Sequence, residues 1–372
     1  MKQTKLILIT ILSGVFLLLG AVLILGITGH GFFRGNWGNI GVNTDDFQSY
    51  TKVLEYEAEA EKIQECKILF DKNSNDIFFY ESDSDRILIQ EYVNYEPSEQ
   101  EKTVVKEENG VLTVTGKRRD NGIRFFAINH RDGYVKVYLP ASYRGNLTAS
   151  TVSGEISADM DFILGEQADF QATTTSGDVN VLKVVAEHVD ISTVSGELSV
   201  QEVTGDVKFS TTSGDIAAQK ITGNMKLSTT SGEIRVTQGQ GDCEAGSVSG
   251  DVELSALQGN FDISTTSGAV SVYENVGGGG VSTVSGDIRL EFDALQTALD
   301  ISSTSGEVQI TLPEGTAVDF DASSTSGEIN TFFDQCLSFN KKGNKASGTY
   351  GSGAMLRVEV DTTSGDIEVR AK

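Results

Sequence analysis

Apolar and polar residues alternate along most of this chain, and the alternation restarts about every 18 residues. Each repeat is marked by Ser-Gly, which is followed by an acid in every repeat except the one that has Ala269. A fixed period of this length is typical of a solenoid, because each repeat is one coil that buries its apolar face only by stacking on its neighbours. The serines of the mark are Ser153, Ser176, Ser195, Ser213, Ser231, Ser249, Ser267, Ser285, Ser305, Ser326 and Ser364.

Aligned on these serines, the repeats predict β-strands. The second residue after each glycine is aliphatic, apolar residues lie six and four positions before the serine, and Thr or Ser lies two before it. A period of two places these side chains inside the coil, and the residues between them, such as Lys208 and Ser210, outside. The aliphatic residues after the glycine are Ile156, Val179, Leu198, Ile216, Ile234, Val252, Val270, Ile288, Val308, Ile329 and Ile367.

Each coil also contains a second turn, at which Gly stands beside Asp or Asn, as in Gly205-Asp206 and Gly223-Asn224. Glycine adopts a positive φ there at little cost. One coil is therefore at least two strands and two turns. The predicted fold class is all-β, a parallel β-helix (β-solenoid) with coils of about 18 residues, preceded by one N-terminal transmembrane helix. The handedness of the solenoid stays open.

The N-terminal helix is predicted from Leu6 to Ile27, a stretch without a charged residue that follows Lys2 and Lys5. A helix of this length spans a bilayer core, and the two lysines place its start in the cytoplasm. The expected location is the cell membrane, with a single pass and an extracytoplasmic C-terminal domain. A cleaved signal peptide is the alternative, although its apolar region is usually shorter.

The repeat pattern divides the chain into four segments. Residues 1–29 are the cytoplasmic stub and the transmembrane signal anchor, and residues 30–52 are a polar spacer. Residues 53–146 contain irregular strands that we expect to form capping coils, because the end of a solenoid exposes open ladder groups. Residues 147–372 are the regular β-solenoid, interrupted by an insertion before the repeat of Ser364.

Charge and composition limit the choice of partners. The net charge is −24, so nucleic acid and anionic membrane surfaces are repelled. The chain has only three prolines against 40 glycines, a balance that favours continuous strand ladders joined by tight turns.

The sequence contains no recognisable catalytic or metal-binding constellation. Its three histidines, His30, His130 and His188, are far apart and lack metal-ligand spacing. His130-Arg131-Asp132 matches a kinase catalytic loop, but no other kinase motif accompanies it. Cys243 lies in an inward column, where it acts as a small buried apolar residue. We therefore predict no enzyme activity, no cofactor and no metal.

The acids that follow the Ser-Gly mark form the most regular surface feature, which we call the acid column. Its members are Glu155, Asp178, Glu197, Asp215, Glu233, Asp251, Asp287, Glu307, Glu328 and Asp366. In one interpretation these acids only solvate a turn and discourage edge pairing. In the other they form an interaction face for a cation or a cationic peptide. Outward Ser and Thr rows leave a glycan as a further candidate partner, beside an envelope protein.

Several stretches resemble a known bacterial family. They are VKVYLP and LTASTVSGEI between Tyr134 and Ile156, the recurrent TTSGDI, and the closing GSGAMLRVEVDTTSGDIEV. Over about residues 53–372 they are similar to the β-solenoid domain of unknown function labelled "putative adhesin". The resemblance implies an envelope-anchored parallel β-solenoid, with relatives encoded beside envelope-stress regulators. It implies no catalytic residues.

Three functions are compatible with these observations. The favoured one is a non-enzymatic, membrane-anchored interaction protein of the cell surface, similar to an adhesin. The second is a sensor or regulator in a cell-envelope stress response, which would have a membrane partner. The third is a carbohydrate-active enzyme on a β-helix, which would need long loops that build a cleft. The uninterrupted coils from Ser195 to Ser285 argue against this third function.

Overall fold

A computed structural model describes residues 50–117 and 131–372 of the chain. The predicted transmembrane helix at Leu6–Ile27 lies outside these residues, as does most of the predicted spacer. Over the two described ranges, no helix has both the length and the apolar character needed to cross a membrane.

The described residues form 28 β-strands, two short 3₁₀ turns and no α-helix, so the all-β prediction is confirmed. The first strands are β1 (Thr51–Glu59), β2 (Glu65–Phe70), β3 (Asp76–Glu81), β4 (Arg86–Val93), β5 (Val104–Glu108), β6 (Val111–Thr115), β7 (Gly133–Leu139), β8 (Asn146–Thr151), β9 (Ile156–Ile163) and β10 (Asp169–Thr173). The regular coils contain β11 (Val179–Ser192), β12 (Leu198–Ser210), β13 (Ile216–Thr222), β14 (Met225–Ser228), β15 (Ile234–Gln240), β16 (Cys243–Gly246), β17 (Val252–Ser255), β18 (Leu257–Gln258), β19 (Phe261–Thr265), β20 (Val270–Ser285) and β21 (Ile288–Ser305). The last strands are β22 (Val308–Leu312), β23 (Val318–Ser324), β24 (Ile329–Thr331), β25 (Leu337–Phe339), β26 (Lys345–Tyr350), β27 (Leu356–Ser364) and β28 (Ile367–Ala371), and the 3₁₀ turns are Ala60–Lys62 and Asp334–Cys336.

Successive repeats pair as parallel strands in register. Leu198 of β12 lies beside Ile216 of β13, and Ile216 lies beside Ile234 of β15, so each step along the ladder is one repeat of the sequence. A second ladder joins β12, β14, β16 and β19 on the other side of the second turn. Each coil therefore contributes a strand on either side of its second turn, as the two turns in each repeat predict.

The side chains face the directions that the alternation predicts. All the aliphatic residues that follow the Ser-Gly mark are buried, and Ile234 has 0% of its surface exposed. The Thr or Ser two positions before the mark is also buried, whereas Lys208 and Lys226 are exposed. Cys243 is buried at 2% exposure, as its inward column predicts. One continuous apolar core runs through the stacked coils.

The coils at both ends of the stack do not follow chain order. The last coil of the chain, β27–β28, lies between the coil of β21–β22 and the coil of β23–β24. At the other end, β2–β3 lies between β6–β7 and β8–β9. The 18-residue period does not encode this order, because every coil offers the same apolar column to its neighbour.

Antiparallel strands close both ends of the parallel ladders. β4 pairs with β7 and β1 pairs with β4 at the N-terminal end, while β26 pairs with β23 at the C-terminal end. The insertion between Ser326 and Ser364 supplies this second closure, and its Phe333 ring stacks on Tyr350 with centroids 4.9 Å apart. The outer strand β1 is rich in acids, and charged side chains discourage further pairing at a sheet edge.

Candidate interaction surface

Each acid of the column follows a turn, and a buried hydroxyl holds that turn in place. In the coil of Ser213, the Gly214 N–H donates to Thr211 Oγ1 over 3.0 Å, and the Thr211 hydroxyl donates to the Gly196 carbonyl of the neighbouring coil over 3.4 Å. Thr174, Thr193 and Thr229 make the same two bonds. The repeated Thr is therefore a structural residue that fixes each turn and ties it to the next.

The glycine of the mark is required by the closeness of neighbouring turns. A Cβ atom built on Gly214 would lie 1.7 Å from the Gly196 carbonyl oxygen, and one on Gly232 would lie 1.8 Å from that of Gly214. The φ angles of these glycines are outside the left-handed region, so contact and not backbone conformation excludes a side chain. Turns packed backbone to backbone bring the following acids into a single row.

Three neighbouring coils use a different form of the turn. Gly286, Gly306 and Gly365 have φ angles of 155°, 135° and 143°. The Gly286 N–H donates to the Ser305 carbonyl of the next coil and no longer to a hydroxyl of its own turn. Among the described residues, the buried hydroxyls of Thr283, Ser303 and Thr362 have no hydrogen-bond partner as a result.

Each aspartate of the column is tied to the next coil. Asp215 Oδ1 accepts the backbone N–H of Glu233 over 2.7 Å, so the carboxylate bridges two coils that are 18 residues apart in the chain. A hydrogen bond to an ionised acceptor is stronger than one between neutral groups. The same bond joins Asp178 to Glu197, Asp251 to Ala269, Asp287 to Glu307 and Asp366 to Glu328.

Asp and Glu alternate along the column when it is followed in stack order, except that Ala269 takes one Glu position. The order is Asp76, Glu155, Asp178, Glu197, Asp215, Glu233, Asp251, Ala269, Asp287, Glu307, Asp366 and Glu328. The alternation is interrupted in chain order, because Asp366 follows Glu328 in sequence but precedes it in the stack. The short Asp side chain reaches the neighbouring N–H, and the longer Glu can carry its carboxylate away from the row, which separates the charges.

Asp76 belongs to the column although the Ser-Gly mark does not include it. Its Oδ1 accepts the Glu155 N–H over 2.9 Å, as the other aspartates of the column do for their neighbours. The signal in the sequence is Ser74-Asn75-Asp76, with Asn in the place of Gly, followed by the alternating Ile77 and Phe79. Asn75 takes the glycine position at the end of the regular stack, and its carbonyl lies 2.1 Å from a Cβ built on Gly154.

The column is exposed along almost all of its length. Only Glu155 and Glu233 are half-buried among the predicted members, and the other eight side chains are exposed. Arg235 pairs with Glu233 over 2.5 Å, and Arg289 lies 4.0 Å from Asp287. Exposed ion pairs add little to stability, so a cationic partner can displace these two arginines at little cost.

Asp76 differs from the exposed members because it is half-buried. Burial raises the pKa of Asp76 to about 6, and the nearby carboxylates of Asp132 and Glu155 add to this, while the bond from the Glu155 N–H opposes it. A carboxyl whose folded pKa lies above its unfolded value binds protons more readily in the folded state. Its contribution to stability is therefore lost as the pH rises from about 4 to about 6.

The Asp76→Asn variant tests the raised pKa of the Asp76 carboxyl. The amide oxygen keeps the acceptor for the Glu155 N–H, and the buried charge is removed. We expect the variant to be more stable than the parent by about 2 kcal/mol at pH 8, and the difference to disappear near pH 4. Urea unfolding of both full-length proteins across this range measures the difference. A constant difference at all pH values would contradict the assignment.

The structure shows no arrangement for metal binding over residues 50–117 and 131–372. No group of three or more His, Cys, Asp and Glu side chains there is placed to hold a metal ion. His188 is exposed and bonds to Asp169 Oδ1 over 3.0 Å, which raises the pKa of His188. His30 and His130 lie outside the described residues. Cys66 and Cys243 are buried, and Cys336 is exposed.

A known protein family matches most of this chain. The family model Toastrack DUF4097 matches residues 66–274 and 256–370, and the chain belongs to this family, as the resemblance in the sequence predicts. No curated protein matches the chain.

Solved structures are also similar to this chain. One, described as a putative cell adhesion protein from Clostridium sporogenes ATCC 15579, is 11% identical, with 87% of this chain and 100% of that chain covered and a TM-score of 0.27. Another, described as a putative adhesin from Parabacteroides distasonis ATCC 8503, is 12% identical, with 86% and 96% covered and a TM-score of 0.32.

Proposed function

We propose that this chain is a membrane-anchored, extracytoplasmic parallel β-helix that acts as a non-enzymatic, adhesin-like interaction protein at the cell surface. The observation that carries the proposal is the acid column, an exposed row of carboxylates held in register by backbone hydrogen bonds. Membership of the Toastrack DUF4097 family is consistent with it. The predicted helix at Leu6–Ile27 provides the anchor.

The partner that fits the column carries positive charge. Exposed carboxylates at the spacing of parallel strands, about 4.8 Å, create a local negative potential that attracts cations and repels anions. The backbone bonds of the aspartates fix part of the row before a partner arrives, so less conformational freedom is lost on binding. A cationic peptide, or a basic segment of an envelope protein, has the matching charge.

The test replaces Asp178, Asp215, Asp251 and Asp287 together by Asn. Asn keeps the Oδ1 acceptor for the next coil and removes the charge, so the fold is retained. Intact cells that express the full chain are incubated with a labelled oligolysine at low salt. We expect at least tenfold less bound peptide on cells that express the variant, because four charges of the row are lost.

A matched control carries four Asp→Asn changes at exposed positions outside the column, Asp161, Asp300, Asp319 and Asp321. We expect the control to bind the peptide as the parent does. Equal loss in both variants would show that only net charge matters and would remove the column from the proposal. Binding that is seen only after the cells are lysed would contradict the proposed orientation.

A further inference from the structure

The insertion before the last repeat carries a cluster of lysines in an otherwise acidic chain. Between β24 and β27 the chain has three lysines and a single acid, Asp334, so this stretch is positively charged although the whole chain has a net charge of −24. We call the hairpin of β25 and β26, with the turn at residues 340–344 that joins them, the basic hairpin. Its lysines are Lys341, Lys342 and Lys345, and all three are exposed.

The turn of the basic hairpin is attached to the end of the acid column. The Ser324 N–H donates to the Asn344 carbonyl over 2.8 Å, and Asn344 Nδ2 donates to the Thr325 carbonyl over 3.3 Å. Ser324 ends β23, and Thr325 starts the turn that leads to Glu328, the last member of the column in the stack. The lysines therefore lie at one end of the row of turns that carries the acids.

Hydrogen bonds within the turn keep it in one shape. The Gly343 N–H donates to the Asn340 carbonyl over 3.1 Å. Asn340 Nδ2 donates to Asn344 Oδ1 over 2.8 Å, and the Asn344 N–H donates to Asn340 Oδ1 over 3.1 Å. A basic group that is already ordered loses less conformational freedom when it binds a partner.

The positive charge of the hairpin is not neutralised within the described part of the chain. Lysines of the regular coils pair with acids, as Lys208 does with Asp190 over 3.1 Å. None of the three hairpin lysines forms such a pair among residues 50–117 and 131–372. Asp251, in the middle of the column, lies five coils from Glu328, which is about 24 Å at the spacing of parallel strands. A lysine side chain does not span this distance, so these acids and lysines meet only between molecules.

We propose that the basic hairpin binds the acid column of a second copy of this chain. The inference rests on the proposed function, and it names the cationic partner of the column. A surface that carries both charges is self-complementary, so two copies related by a two-fold axis contact each other through the hairpin of each and the column of the other. Copies aligned in the same direction would instead place like charges side by side.

Spacing and apolar surface also fit this pair. The Cα atoms of Lys341 and Lys342 are about 3.8 Å apart, close to the spacing of about 4.8 Å between the acids. Phe339, two residues before Lys341, has 38% of its surface exposed, and Val284, three residues before Asp287 of the column, has 44% exposed. Contact between the two surfaces buries apolar area as well as pairing charges, which favours a protein partner over a simple cation.

The test measures binding between two samples of the full-length protein in detergent micelles, one immobilised through its N terminus and one in solution. The salt concentration is 0.15 M, at which charges more than about 8 Å apart are largely screened. The hairpin variant is Lys341→Glu/Lys342→Glu, and the column variant carries the four Asp→Asn changes at Asp178, Asp215, Asp251 and Asp287. We expect each variant to bind itself at least tenfold more weakly than the parent binds itself.

Mixing the two variants separates a lost contact from a lost fold. The hairpin variant keeps an intact column and the column variant keeps an intact hairpin, so one of the two contacts forms in the mixed pair. We expect the mixed pair to bind at least threefold more tightly than either variant binds itself. A matched control, Lys62→Glu/Lys106→Glu, makes the same charge change at exposed positions outside the hairpin and should bind itself within twofold of the parent.

Parent copies that do not bind each other, or that bind unchanged by the hairpin variant, would overturn the inference. A mixed pair no tighter than the two self-pairs would also overturn it. Binding of polygalacturonate to the parent without self-association would overturn it in favour of an acidic polymer at the hairpin.

Oligolysine binding distinguishes this inference from the proposed function. The hairpin variant keeps the acid column, so cells that express it should bind oligolysine as the parent does. Failure of oligolysine to bind the parent would remove the proposed cationic partner of the column. Oligolysine binding without self-association would remove only the second copy.

Discussion

Replacing Gly214 by Ala should destabilise the full-length protein by roughly 3 kcal/mol or more. The added methyl carbon would lie 1.7 Å from the Gly196 carbonyl oxygen, a separation that only movement of the backbone can relieve. Moving the two turns apart would lengthen the hydrogen bond from the Thr211 hydroxyl to the Gly196 carbonyl, which joins these two coils. Urea unfolding of the parent and the variant measures the loss.

The control for this change is Gly246→Ala in a neighbouring coil. Gly246 is also outside the left-handed region, but a Cβ there would lie 3.5 Å from its nearest neighbour, Ser264 Oγ. We expect the control to be as stable as the parent or slightly more stable, because Ala loses less backbone entropy than Gly on folding. Similar losses for Gly214→Ala and Gly246→Ala would show that the contact between turns is not the reason for the glycine column.

Replacing Ile234 by Asp should destabilise the protein by about 4 kcal/mol or more, because it places an unpaired charge in the apolar core. Ile234 has 0% of its surface exposed and lies in the core ladder between Ile216 and Val252. The paired comparison is Thr230→Asp, four residues earlier at the outer side of the turn. That change should cost no more than roughly 1 kcal/mol.

The pair tests which side chains face the interior of the coil, and thermal and urea unfolding of the two full-length variants measure it. Equal destabilisation would mean that the inward and outward columns are wrongly assigned. A large loss only for Ile234→Asp supports the assignment along the whole ladder, because the same column repeats in every coil.

Much of this fold could be predicted from the sequence, because a solenoid repeats one local pattern. The Ser-Gly mark and the period-two alternation identified the strands, the buried aliphatic column and the buried Thr or Ser. They also placed the exposed acids in one row. Each of these features depends only on residues within one repeat and on the identical repeat next to it.

The reason for the glycine column came only from the tertiary structure. Sequence patterns associate glycine with positive φ, and Gly205 and Gly223 of the second turn do have φ angles of 137° and 141°. The glycines of the Ser-Gly mark from Gly177 to Gly268 are required instead by a carbonyl of another coil. A contact between turns 18 residues apart leaves no trace in the local pattern beyond the absence of a side chain.

The order of the coils was likewise decided by tertiary structure. Coils with the same apolar column stack on one another equally well, so the period does not say which coil lies beside which. The hairpin of β25 and β26 and the antiparallel strand β4 close the ends, and only with this order do Asp366 and Asp76 take their places in the acid column. The sequence thus determined what each coil is, and packing at the two ends determined where the terminal coils lie.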